Sequence, residues 1–138
     1  MILDMIWGGK MWTRMDSAEV NQALIYFCDL LDIDPESIDI IPLSHRDQCG
    51  GYASIDDDGI VLIKIKKTLG RKWFIRFLAH ELIHAKQYLD GRLRYDAYID
   101  LFIFDDKIID CEYGDEPYEI EAYSVEPILT AAYFDRFE

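Results

Sequence analysis

His80, Glu81 and His84, in the run His80-Glu81-Leu82-Ile83-His84, are the residues whose types and spacing could do chemistry together. On a helix, residues four apart lie one turn above each other on the same face, so the two imidazoles can hold one metal ion. The carboxylate after the first histidine leans toward a water on that metal. A zinc-bound water loses a proton near neutral pH and a nearby glutamate can accept it, which is the chemistry of zinc hydrolases. The chain has three histidines in all, and two of them are here.

The motif needs a helix under it, and the surrounding sequence supplies one. Arg71 to Asp90 reads as a single helix stopped at Gly91, a residue suited to the left-handed position after a helix end. Phe74, Leu78, Leu82, Ala85 and Leu89 make a continuous apolar stripe at helical spacing. At about 100° per residue, His80 and His84 fall roughly opposite that stripe, with Trp73 and Phe77 preceding them on their own side. A helix apolar on two sides belongs in the interior, with another element packed over the histidines. The competing reading is a pair of core histidines, which is costly because two buried imidazoles need partners.

The rest of the chain bounds the setting. At 138 residues, 51% hydrophobic and 30% charged, it is one globular domain, with residues 1–15 expected as an arm of no clear period. A net charge of −13 argues against nucleic acid or an anionic membrane surface and favours a basic peptide or protein as partner. Cys28, Cys49 and Cys111 form no CxxC pair and no disulfide framework. His45 and Cys49 lie four apart in a loop-like segment without further Cys or His company, so no second metal site is expected there. The first residues do not read as a signal peptide, and no stretch approaches a membrane span, which places the chain in the cytoplasm.

Asp16 and Glu19 resemble a capping box before a helix over 17–31. Strands are expected over 37–43, 52–55 and 60–66, the last two joined by the Asp56-Asp57-Asp58-Gly59 turn, whose aspartates fail the calcium-loop pattern. A hairpin follows over 98–104 and 107–111, and a final helix starts at Pro117, with Asp115 or Glu116 as cap and Pro127 bending or interrupting it. The fold class is α+β: N-terminal helix, small mostly antiparallel sheet, motif helix, hairpin, C-terminal helix.

A catalytic zinc takes three protein ligands and keeps one position open. Beyond His80 and His84 the chain offers His45, and Glu119 and Glu121 on the two flanks of the final helix's apolar stripe. Burial alone does not choose between the glutamates.

His80 to His84, followed by Glu119-Ile120-Glu121-Ala122, resembles the gluzincin zinc metallopeptidases, whose third ligand is a glutamate on a downstream helix. The chain is most similar to their small single-domain forms, the minigluzincins and short phage and prokaryotic proteins with this motif, which are related in motif to the ImmA/IrrE peptidases. The resemblance implies a zincin-like fold, His80, His84 and Glu119 as zinc ligands, and Glu81 as general base. It also implies a peptide substrate lying as an extra strand along the sheet edge at residues 51–55. Larger gluzincins often carry an aspartate four residues after the ligand glutamate, to orient a metal-bound histidine; Tyr123 stands there instead. The run Ala85 to Gly91 lacks the third histidine of the metzincins.

The expected function is therefore zinc-dependent hydrolysis of peptide bonds. Tyr123 and Tyr113 are candidates to stabilise the oxyanion, although packing roles are the stronger expectation for both. The alternative is a non-catalytic or latent zincin-like module that binds zinc and regulates a partner. Retention of Glu81 speaks against it, because a structural zinc does not need that carboxylate.

Overall fold

Asp16 caps the first helix among the described residues. Its Oδ1 accepts from the Glu19 backbone N–H at 2.8 Å, starting α1 (Ser17–Leu31). The reciprocal half of a capping box is not made, because the Glu19 carboxylate accepts instead from Arg71 Nε at 2.7 Å. The computed structural model describes residues 16–43, 50–66 and 68–138. The expected arm at 1–15 and the pair His45 and Cys49 lie outside the described residues.

After a single 3-10 turn (Pro35–Ser37) come β1 (Ile38–Leu43), β2 (Gly51–Ile55) and β3 (Val61–Lys66), in the spatial order β1-β3-β2. β2 and β3 form an antiparallel hairpin; β1 runs parallel to β3. Asp56 Oδ1 closes the hairpin turn by accepting from the N–H groups of Asp58 and Ile60, both at 2.9 Å. Gly59 in that turn has φ +81°, which only glycine adopts without strain. Those aspartates are turn-formers. Strict alternation in β3 buries Val61, Ile63 and Ile65 on one face.

The motif helix α2 (Arg71–Leu89) packs on β2 and β3 with one side and on the last helix with another. Phe74, Leu78, Leu82 and Ala85, four of the five stripe residues, are fully buried. Each large apolar side chain hidden this way contributes about 1.5–3 kcal/mol. Gly91, at φ +75°, ends the helix one residue past Asp90.

The expected hairpin exists as β5 (Leu101–Phe104) and β6 (Lys107–Ile109), turned through Asp105 and Asp106, both with positive φ. It is the larger part of a second sheet, because β4 (Leu93–Asp96) pairs antiparallel with β5. The first sheet is therefore mixed, with one parallel and one antiparallel pairing, where a mostly antiparallel sheet was expected; the pairings of the second are both antiparallel. The architecture is α+β with two small sheets.

The final helix α3 (Pro117–Phe137) begins at Glu116, whose carboxylate accepts from Gly114 N–H rather than capping its own helix. Pro127 does not interrupt it. Beyond the proline, Thr130 Oγ1 donates within the helix to the Glu126 carbonyl at 3.0 Å. Tyr133 and Phe137 then close the helix onto Tyr26 and Phe27 of α1, ring centroids 5.3–5.8 Å apart.

Candidate metal centre

Helices α2 and α3 cross the site in opposite directions. Residues rising along α2 meet residues falling along α3: Arg76 meets Glu126, His80 meets Tyr123 and Glu119, and His84 meets Glu119 and Tyr118. This places a carboxylate over the histidine face that α2 turns away from its apolar stripe. His80 Nε2 lies 3.0 Å and His84 Nε2 2.6 Å from Glu119 Oε1. The three donor atoms lie within 4.8 Å of one another. Tetrahedral donors about 2.0–2.1 Å from a zinc stand roughly 3.3–3.4 Å apart, so small side-chain rotations suffice to admit the ion.

Proton bookkeeping makes the case for a cation there. Gln87 is 1% exposed, and its amide nitrogen donates to the Tyr118 carbonyl at 3.1 Å and to Glu121 Oε1 at 3.0 Å. With both N–H groups aimed at acceptors, the atom left facing His84 is the oxygen, 2.8 Å from Nδ1. His84 therefore donates from Nδ1, and in its neutral form Nε2 carries a lone pair pointed at the Glu119 carboxylate. Two acceptors at 2.6 Å need a proton or a metal ion between them. Burial alone would lower the His84 pKa; its hydrogen bonds to Glu119 and Gln87 outweigh that and raise it. The hydrogen bonds from His80 and His84 hold the Glu119 carboxyl down to about 2. Two imidazole nitrogens and one carboxylate oxygen suit zinc, and they accept other borderline divalent ions as well.

Glu121 stands elsewhere. Arg92 grips it from Nη1 to Oε1 at 2.9 Å and from Nη2 to Oε2 at 2.8 Å, while Arg92 Nε reaches Asp105 Oδ1 at 2.8 Å. Of the two glutamates, the structure brings Glu119 to the histidines and turns Glu121 to the support of Gln87. The chain His84–Gln87–Glu121–Arg92–Asp105 ties the His84 imidazole to α3 and to the β5–β6 turn. This support was missed in the sequence. Its one legible signal is Gln87 three residues after His84, a neighbour on the same helix face.

Glu81 is buried, and burial pushes its carboxyl pKa up. It makes no hydrogen bond among the described residues and lines the cleft beside both histidines. That cleft has a volume of about 440 Å³. Gly51, Tyr52 and Ala53 of β2 form part of its wall, and β2 is an edge strand among the described residues. The Tyr123 ring lies 4.6 Å from that of His80 and tilted against it by 52°, so the residue at the position of the gluzincin aspartate packs on a histidine. Tyr113 also borders the cleft and is fully exposed. No protein-family model matches the chain, and no curated protein shows significant similarity to it.

Proposed function

We propose that this chain is a small gluzincin-type, zincin-like metallopeptidase of the cytoplasm, with zinc on His80, His84 and Glu119 and with Glu81 as general base. The observation that carries the reading is the His84–Gln87 tautomer lock, which leaves an imidazole lone pair and a carboxylate converging on one point. Bound zinc would supply an acidic water and a Lewis acid for the scissile carbonyl. Glu81 would accept a proton from the attacking water and return it to the leaving nitrogen. Its burial raises its proton affinity, which suits a group that must hold the proton between the two transfers. The open cleft also supports a catalytic site, since a structural zinc is enclosed by four protein ligands and only three donors converge among the described residues. The edge of β2, unpaired among the described residues, can hold an extended peptide by adding a strand. Among the described residues no helix is long and apolar enough to cross a membrane.

The test joins metal content to cleavage. Purified protein should hold one zinc per chain by elemental analysis, and it should cut members of a broad peptide library. Glu81→Gln should keep the zinc and the fold while cleavage drops by roughly 10²–10⁴, the usual worth of a positioned base. Equal cleavage by both proteins removes Glu81 from the role assigned to it. A zinc-loaded wild type that cuts nothing hands the site to the non-catalytic module.

A further inference from the structure

One turn before His80 on the same face of α2, Arg76 reaches into the same cleft. Its Nε donates to Glu126 Oε1 at 3.1 Å, and its guanidinium lies over the Trp73 ring, 4.9 Å from the centroid. Glu126 is buried, and its other oxygen, 2.9 Å from the Thr130 hydroxyl, shares that group's single proton with the Glu126 carbonyl at 3.0 Å. Both carboxylate oxygens are therefore occupied, whereas the guanidinium has used one of five donors. Among the described residues the two terminal nitrogens of Arg76 have no partner, and the side chain is 38% exposed. The pair thus presents donors, not acceptors, to whatever enters. Nε fixed by Glu126 and the plane fixed by Trp73 leave the Nη1/Nη2 end preorganised for a two-pronged contact.

We propose that Arg76 is the specificity-determining residue of this cleft and that it binds a carboxylate of the peptide substrate, from an acidic side chain or from the C-terminus. One helical turn is about 6 Å, the length of roughly two extended residues, so that carboxylate lies within about two residues of the bond at the metal centre. The net charge of −13 points toward basic partners, and Glu81, Glu119 and Glu126 also line the cleft, so the spare donors of Arg76 are a local exception. Among the described residues that line it, Arg76 is the one lysine or arginine. The inference takes the ligand to be a peptide from the metallopeptidase reading, and its test reads binding instead of turnover.

The probes are six-residue peptides with one apolar sequence, offered to the zinc-loaded Glu81→Gln protein by titration calorimetry. One set is blocked at both ends and carries a glutamate scanned through each position. A second is blocked and carries glutamine. A third carries glutamine and a free C-terminal carboxylate. The glutamate set or the free-carboxylate set should bind about tenfold or more tightly than the blocked glutamine set, and whichever is favoured names the source of the carboxylate. Arg76→Gln should abolish the difference without weakening the blocked glutamine peptides, and Arg76→Lys should keep part of it. Because Arg76→Gln leaves Glu126 buried and unpaired, Arg76→Gln/Glu126→Gln is measured alongside, with melting curves for all variants. Equal binding of the three sets, no binding of any, or an equal loss for neutral and acidic peptides would overturn the assignment. Selective binding without cleavage by the wild type removes the peptidase reading and leaves the subsite standing. Cleavage without selectivity does the reverse.

Discussion

Glu121 is held by Arg92 through two parallel hydrogen bonds of 2.9 and 2.8 Å, whereas Glu119, two residues earlier on α3, faces imidazole nitrogens at 3.0 and 2.6 Å. A guanidinium is charged at every accessible pH and supplies its own protons, so the Glu121 cluster is complete within the chain. A neutral imidazole whose other nitrogen already donates can only accept, so the Glu119 cluster is completed by a proton or a metal ion. One carboxylate braces the helices, and the other waits for a cation.

The largest effects should come from breaking the cluster that waits. Glu119→Ala and His84→Ala each remove one of the three proposed ligands. Both should weaken zinc binding by orders of magnitude in a chelator competition, beyond the roughly 10–100-fold lost with a supporting partner. If Glu121→Ala matched them and Glu119→Ala did not, the two clusters would have exchanged roles and the gluzincin registration would fail.

Gln87 is the joint between the clusters and comes next in size. Gln87→Met keeps the length and the burial but drops the hydrogen bonds to His84, Tyr118 and Glu121. Zinc affinity should fall about 10–100-fold as His84 loses its fixed tautomer. The metal-free protein should lose about 1–3 kcal/mol in urea unfolding, because the Tyr118 carbonyl and the His84 Nδ1–H lose their partner. A variant that loses stability and keeps full zinc affinity would reduce Gln87 to a packing residue.

Gln87 also marks where the sequence stops being legible. His80, Glu81 and His84 could be read because a metal motif and a helical apolar stripe agree on one element. α1, the β2–β3 hairpin and the Asp105-Asp106 turn were legible for the same local reason. Gln87 reads as an ordinary polar residue until α3 covers it. Helical-wheel position leaves Glu119 and Glu121 equivalent; what separates them is the placement of Arg92, 29 residues away in sequence from Glu121. β4 escaped notice because Leu93-Arg94-Tyr95-Asp96 buries one residue of four, too few to show a period. Asp16 and Glu19 looked like a reciprocal capping box, but Arg71 lies 52 residues beyond Glu19 and takes its carboxylate. In each case the deciding partner is distant in sequence, which spacing along one element does not encode.

The smallest expected effect tests whether the completed cluster matters to the waiting one. Arg92 and Glu121 are each about one-third exposed, with side-chain values of 37% and 32%, so water and salt screen their attraction. A double-mutant cycle with Arg92→Met and Glu121→Gln should give a coupling of about 0.5–1 kcal/mol in urea unfolding of the metal-free protein, at the upper end for exposed pairs because the contact is two-pronged. Raising the ionic strength to about 0.5 M should reduce it. Zinc affinity should change only a few-fold in either single variant, since Gln87 keeps the Tyr118 carbonyl and stays aimed at His84. A hundredfold loss of zinc in Arg92→Met would mean that the bracing reaches the metal-facing imidazole with full force, and the division between the two carboxylates would then be one of chemistry but not of energy.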